Sequence, residues 1–180
     1  MSEAVAPDQL VEEGHTYYQK KEYLAAGEAF RAAAQSYAES GDELNAAEAA
    51  NNASVAYLQA GEAETAFTAV EGTVEVFARA GDTRRQALAL GNRAAALEAL
   101  DKFEEALEDY EQSADLLKAA GEDELRSKVT HSLSLLQLRT GRQYQALATM
   151  QAGLDDLQRP APHQRLLRRL LEVPFRFFFR

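Results

Sequence analysis

Turn-forming residues recur along the chain at a regular interval and separate segments that have a helical pattern of apolar positions. One set repeats every 40 residues and a second set lies halfway between its members: Gly41, Gly81 and Gly121, then Gly61, Asp101 and Gly141. A turn residue every 20 positions predicts helices of about 16–18 residues that are joined by tight turns. Acidic residues, which favour a helix start, follow the first set as Asp42, Asp82 and Glu122.

Small residues occupy three internal positions of every 40-residue unit when the units are numbered from residues 7, 47, 87 and 127. At positions 8, 20 and 27 the units hold Gly14, Ser54, Ala94, Ser134, Ala26, Ala66, Ala106, Ala146, Ala33, Thr73, Ser113 and Gly153. Large residues stand at positions 24 and 31, as Phe30, Val70, Tyr110, Met150, Tyr37, Phe77, Leu117 and Leu157. Small residues allow two helix axes to approach to about 8–9 Å, so this pattern predicts closely packed helix pairs.

This pattern resembles the tetratricopeptide repeat (TPR), a helix-turn-helix unit with small residues at positions 8, 20 and 27 and aromatic residues at 11, 17 and 24. GHTYYQKKEYLAAGEAFRAAA at 14–34 and DKFEEALEDYEQSADLL at 101–117 carry the resemblance best. The unit is 40 residues long rather than the usual 34 and lacks the proline of position 32. Longer helices of this kind resemble the TPR variants of kinesin light chains, GoLoco-binding adaptors and the vesicle-fusion adaptor SNAP.

The resemblance implies an all-α fold, a right-handed α-solenoid of helix-turn-helix repeats. Four TPR-like repeats are expected within 1–158, at about 7–40, 41–80, 81–120 and 121–158. Residues 159–162, which contain two prolines, are expected to form a linker. Residues 163–173 have an amphipathic pattern and are expected to form a C-terminal cap helix, which a Phe/Arg tail follows up to residue 180.

The sequence does not indicate an enzyme. It contains no cysteine, and His15, His131 and His163 lack the spacing of metal ligands. The acidic run from Glu104 to Asp115 is interpreted as a solvated helix face, because it lacks the glycine turn of a calcium loop. No catalytic, cofactor-binding or metal-binding residue is therefore predicted, and no cofactor is expected.

The charge of the chain is divided unevenly between its two parts. Residues 1–158 hold 28 acidic residues and 13 Lys or Arg, a net charge of −15, whereas residues 159–180 hold six Arg and one Glu, a net charge of +5. An acidic body repels phosphates, which argues against nucleic acid and anionic lipid as partners. No apolar segment is long enough to span a membrane, and the first residues lack a secretion signal, so a cytoplasmic location is expected.

The TPR resemblance implies that the first helix of each repeat lines a concave groove, which would bind a protein or peptide ligand. The groove residues expected on this basis are His15, Tyr18, Asn51, Asn52, Val55, Leu58, Leu88, Asn92, Lys128, His131, Leu135 and Arg139. In similar adaptor TPRs, an Asn at the position of Asn52 and Asn92 holds the backbone of an extended peptide. Two alternatives stay open at this point: these amides could bridge neighbouring helices, and the apolar groove residues could be ordinary core between repeats.

Chaperone-binding TPRs use a clamp of Lys, Arg and Asn side chains for the acidic tails of their partners. The corresponding places here hold Val11, His15, Asn52, Leu88 and Asn92, of which only Asn52 matches. Without the cations a C-terminal acidic peptide has little to hold its charge, so no binding to the acidic tails of heat-shock chaperones is expected.

The C-terminal tail concentrates aromatic and basic residues, and four of the eight phenylalanines lie in the last six residues. The residues expected to dock are Phe175, Arg176, Phe177, Phe178, Phe179 and Arg180. Exposed phenylalanines favour aggregation, so the tail is expected to fold back on its own solenoid, insert into a neighbouring copy, or meet a membrane or another partner. The predicted function is a scaffold that binds a peptide in the concave groove, and the alternative is a self-assembling module whose tail docks into a neighbouring copy.

Overall fold

The computed structural model describes residues 6–155 together with Pro162 and Arg165, and the 6–155 segment folds into consecutive α-helices that pack as a right-handed α-solenoid. The helices are α1 (Pro7–Gln19), α2 (Tyr23–Glu39), α3 (Glu43–Gln59), α4 (Ala63–Val70), α5 (Thr73–Arg79), α6 (Thr83–Ala99), α7 (Phe103–Ala119), α8 (Asp123–Arg139) and α9 (Gln143–Asp155). Pro162 and Arg165 are helical and exposed. The rest of the predicted linker, cap helix and tail lies outside the described residues. In the described part, no helix is both long and apolar enough to cross a membrane.

The turns lie where the spacing of the sequence predicts them, because the predicted turn residues have a left-handed backbone conformation. Positive φ angles are found at Gly41, Gly61, Gly81, Asp101, Gly121 and Gly141. Lys21 has a φ of 62° and makes the corresponding turn between α1 and α2, which the sequence pattern did not indicate. The predicted start signal is confirmed for two helices, since the side chains of Asp42 and Asp82 accept hydrogen bonds from the backbone N–H of Asn45 and Arg85.

Close packing between the helices uses the predicted small positions, and all twelve of them are buried. Ala26, Ala66 and Ala106 are each 0 % exposed. A Cβ atom on Gly14 would lie 2.6 Å from the ring of Phe30, which means that only glycine permits this approach of α1 and α2. The predicted large residues fill the space between these contacts: Phe30, Val70, Phe77, Tyr110 and Leu117 are buried, Tyr37 and Met150 are half-buried, and Leu157 lies outside the described residues.

One predicted helix is wrong, because the second helix of the second pair is broken into α4 and α5. Glu71 has φ −59° and ψ 131°, and Gly72 has φ 80° and ψ −13°, which are the angles of a type II turn. The hydroxyl of Thr73 donates a hydrogen bond of 2.8 Å to the carbonyl of Val70 across the turn. Helices α4 and α5 together occupy the place in the repeat that a single helix of 17 residues occupies as α2 and as α7.

Candidate functional site

The predicted groove residues lie on the first helix of each pair, α1, α3, α6 and α8, and none of them is fully buried. His15, Lys128, His131, Leu135 and Arg139 are exposed, whereas the seven others are half-buried. Helix α8 presents the largest apolar surface of this face, since Leu135 is 45 % exposed and Leu138 is 42 % exposed. Leu58, in contrast, packs against the core cluster that contains Phe30 and Tyr57.

The three groove asparagines have different surroundings. The side-chain amide of Asn92 donates a hydrogen bond of 3.0 Å to the Oδ1 of Asn51, which links α6 to α3. Asn51 and Asn92 therefore bridge neighbouring helices, which is one of the two alternatives that the sequence left open. The half-buried amide of Asn52 accepts and donates no hydrogen bond within the described residues, so it remains available to a ligand.

A second bridge joins the first helices α6 and α8. The guanidinium of Arg139 donates to the carboxylate of Glu98, which also accepts a hydrogen bond of 3.2 Å from the hydroxyl of Tyr110. Burial, together with the Glu98 carboxylate, raises the pKa of Tyr110 above its usual range. Arg139 also lies over the ring of Phe103, 5.1 Å from its centroid. The charge of Arg139 is therefore satisfied within the protein, which leaves the exposed Lys128 as a cationic side chain of α8 on this face.

The α1 end of the groove is aromatic. The ring of His15 packs edge-on against Phe30, with 5.1 Å between the centroids, and Tyr18 makes a similar contact of 5.3 Å with Tyr23. These contacts hold both side chains against the second helix of their own pair. The structure thus brings Asn51 together with Asn92, and it packs His15 against Phe30 of its own helix pair.

The outer face, between the second helices, contains clefts that the sequence did not predict, and two of them meet at the helix break. The alanine cleft, of about 500 Å³, lies between α2, α3 and α4–α5 and is lined by Ala34, Ala38, Glu43, Ala46, Ala47, Ala50, Ala69, Glu71, Gly72, Thr73 and Val76. The acidic cleft, of about 590 Å³, lies beside it and is lined by Phe67, Glu71, Gly72, Glu75, Arg79, Arg93, Leu97, Glu105, Glu108 and Asp109. The two clefts share Glu71 and Gly72, so the helix break forms the wall between them.

A partly buried ion pair forms the floor of the acidic cleft. Arg93 donates to both oxygens of Asp109, at 2.7 Å from Nε and 2.8 Å from Nη2, and this hydrogen bonding raises the pKa of Arg93 above its usual value. The side chain of Asp109 is 8 % exposed and that of Arg93 is 23 % exposed. The signal that could have indicated this pair is an arginine at repeat position 7, where a TPR usually has leucine, because such a side chain needs a nearby carboxylate.

Chemically, the described residues offer binding surfaces. They contain no group of three or more His, Cys, Asp or Glu side chains that could hold a metal ion. Comparison with known protein families shows to which family a chain with this architecture belongs. The family model for "Soluble NSF attachment protein, SNAP" matches residues 2–152. The chain belongs to the SNAP family.

Solved structures show the same architecture for this SNAP family member. The kinesin light chain TPR-like repeats of Podosopora anserina superpose with a TM-score of 0.75 at 18 % sequence identity, over 93 % of this chain and 84 % of that one. A variant form of those repeats gives a TM-score of 0.70 at 17 % identity, over 92 % and 89 % of the two chains. At these identities the similarity establishes the TPR-like fold alone. Among curated proteins, none matches the sequence.

Proposed function

We propose that this SNAP family protein is a non-catalytic scaffold that holds a peptide segment of another protein in its concave groove. Its membership in the family and its TPR-like solenoid support a role in protein interaction. The family name itself describes attachment to another protein, NSF. Solenoids of this kind present an extended surface along several repeats, on which a peptide can be held by many weak contacts.

The observation that carries this proposal is the exposed apolar stripe on α8. Leu135 and Leu138 are three residues apart on one helix face and are 45 % and 42 % exposed. His131 and Lys128 continue the same face one and two turns nearer to the N-terminus and are exposed as well. An apolar patch with the Lys128 cation at one end suits a peptide that carries two apolar side chains and an acidic residue next to them.

Asn52 supports the proposal in a second way. Its amide offers a donor and an acceptor that no described residue occupies, and the two groups can bind one peptide unit of a ligand backbone without reading its side chains. The neighbouring Asn51–Asn92 bond links α3 to α6 beside this amide. The groove would thus bind the backbone of the peptide through Asn52, and it would select the side chains of the peptide through Leu135 and Leu138 of α8.

Peptides selected from a random 15-residue library against the full chain provide the test. We expect replacement of both leucines, Leu135→Ala and Leu138→Ala, to weaken peptide binding by about tenfold or more, since each buried leucine contributes ~1–3 kcal/mol. Asn52→Ala is expected to weaken binding about fivefold to tenfold, the effect of losing a hydrogen bond of ~1 kcal/mol. Both dissociation constants are measured by isothermal titration calorimetry.

Leu24 provides the matched control. It is also a leucine and is 54 % exposed, but it lies on α2, a second helix outside the groove. Leu24→Ala is expected to change the dissociation constant less than twofold. Peptides whose affinity falls with Leu24→Ala, and stays unchanged with the α8 and Asn52 variants, would place binding outside the groove and refute the proposal.

A second candidate function is self-assembly through the C-terminal tail, residues Phe175, Arg176, Phe177, Phe178, Phe179 and Arg180. It is supported by the charge difference between the acidic body and the basic tail, and by two clefts on the outer face that have carboxylates at their rims. We expect the full chain to be a dimer or larger, and Phe177→Ser with Phe178→Ser to convert it to a monomer. Light scattering behind a sizing column measures both masses, and equal masses would rule out tail-driven assembly.

A further inference from the structure

The alanine cleft is an apolar hollow that the fold itself creates. Alanines from three helices line it, Ala34 and Ala38 from α2, Ala46 and Ala50 from α3, and Ala69 from α4. Because alanine side chains end at Cβ, they leave the cleft of about 500 Å³ unfilled. A cleft of this size accepts side chains as large as phenylalanine, which buries about 150–250 Å² when it is enclosed.

The helix break borders this cleft. Glu71 and Gly72 form the turn between α4 and α5, and both residues line the cleft. Gly72 has a φ of 80°, and a Cβ atom built there would meet nothing within 4 Å. The turn therefore places Glu71, which is exposed, at the edge of the cleft.

The rim of the alanine cleft is acidic. Glu43 and Glu71 both line it and both are exposed. Glu71 has no ion-pair partner within the described residues, and Glu43 has only a long contact of 3.7 Å with Arg79. On the other side of Glu71, the acidic cleft adds Glu75, Glu105 and Glu108. An occupant that carries both aromatic and cationic side chains would satisfy the hollow and its rim together.

We propose that the alanine cleft is the docking site of the chain's own C-terminal segment 174–180, PFRFFFR. This inference concerns the same tail as the second candidate function, but it does not require assembly, because the tail can reach the cleft of its own chain or that of a neighbouring copy. The segment has the required composition, since it contains four phenylalanines with arginines among them and at the end. One phenylalanine enters between the alanines, and Arg176 or Arg180 reaches the carboxylates of Glu43 and Glu71.

The concave groove fits this segment less well on electrostatic grounds. Its apolar stripe on α8 is preceded by the exposed Lys128, whose charge would repel the arginines of the tail near the place where its phenylalanines could bind. The alanine cleft has no basic residue in its lining, as far as the described residues form it. Charge therefore distinguishes the two apolar surfaces. The groove on α8 suits an outside peptide that carries an acidic residue, whereas the alanine cleft suits the basic tail.

Disulfide formation in the full chain tests the docking site, because the chain contains no cysteine of its own. Ala38 lines the alanine cleft and is exposed, so Ala38→Cys is combined with Phe178→Cys. Leu135→Cys with Phe178→Cys probes the groove, and Tyr144→Cys with Phe178→Cys probes a remote exposed position on α9. Disulfide yield is measured over time on non-reducing gels.

We expect the Ala38 pair to oxidise at least about tenfold faster than the other two pairs. Adding Glu71→Lys is expected to slow the Ala38 pair severalfold, whereas the matched charge change Glu64→Lys, on an exposed residue of α4 outside the cleft, should leave the rate unchanged. Equal rates for all three pairs, or a faster Leu135 pair, would overturn the proposal. A Glu71→Lys variant that oxidises as fast as the parent would overturn the role of the rim.

The failure of this inference is distinguishable from the failure of tail-driven assembly. A rapid disulfide within one chain, with unchanged mass in the Phe177→Ser and Phe178→Ser variant, would support the cleft and rule out self-assembly. Loss of the oligomer in that variant, with a slow Ala38 pair, would support self-assembly and rule out the cleft as its site.

Discussion

Replacing Phe77 with alanine is expected to lower the free energy of unfolding by about 3–5 kcal/mol, the usual cost of removing a buried phenylalanine side chain. Phe77 is 1 % exposed and belongs to a cluster with Ala47, Ala89 and Leu90, from α3 and α6. The guanidinium of Arg85 also lies over its ring, 5.2 Å from the centroid. The side chain therefore connects three helices, and alanine would leave a cavity between them.

The effect is expected to be large because α5 depends on this contact. A helix of seven residues is too short to be stable alone, so its structure comes from packing. Urea unfolding followed by circular dichroism measures the change. Val76→Ala, on the same short helix but at a half-buried position, is the control and is expected to cost only about 1 kcal/mol. Equal losses for the two variants would show that Phe77 is not the anchor of α5.

Replacing Asp109 with alanine is expected to cost about 3 kcal/mol, because it leaves the partly buried Arg93 without its bidentate partner. The remaining carboxylate near Arg93 is that of Glu75, at 3.8 Å and 58 % exposed, which is too far and too hydrated to replace two short hydrogen bonds. Exposed pairs such as Arg31–Glu28 contribute far less, since solvent screens both partners. The Arg93–Asp109 pair is thus expected to contribute more to the free energy of unfolding than the surface ion pairs of this protein do.

The same unfolding measurement on two further variants tests this explanation. Glu108→Ala removes an exposed carboxylate from the same cleft and is expected to change stability by no more than about 0.5 kcal/mol. Arg93→Met together with Asp109→Leu removes both charges and is expected to recover most of the loss, as apolar replacement of buried ion pairs often does. A double variant as unstable as Asp109→Ala would mean that the loss comes from packing rather than from an unpaired charge.

Glycines within helical segments show the limit of what residue type alone predicts. Gly14, Gly27, Gly72, Gly91 and Gly153 all lie within segments with a helical pattern. Gly72 breaks its helix, whereas the four others are helical and buried. A neighbouring side chain occupies the place of a Cβ at three of those four: Phe30 at Gly14, Tyr57 at Gly27 and Thr130 at Gly153. The residue type is the same at all five positions, so only the surrounding structure distinguishes them.

The groove shows the same division between what the sequence predicts and what the structure adds. The TPR resemblance places Asn51, Asn52 and Asn92 on first helices, where they are found. Which amide is used internally was not predictable, since the Asn92–Asn51 bond joins residues 41 positions apart and depends on the separation of α3 and α6. The role of these residues in peptide binding remains a prediction that the calorimetric experiment can test.

The sequence by itself determined the solenoid. Turn residues act within four or five residues, and small or large residues at repeated positions specify close contact between adjacent helices, so the information lies in short intervals that recur along the chain. The tertiary structure alone decided the break at Glu71–Gly72, the Arg93–Asp109 pair and the outer clefts. The break is a local turn at one glycine among several that lie in helical segments. The ion pair depends on how closely α6 and α7 approach within one helix pair, and the clefts depend on the separation of helices from neighbouring pairs. Small differences in packing select one hydrogen bond or leave one hollow open, and the residue types at the repeated positions do not encode them.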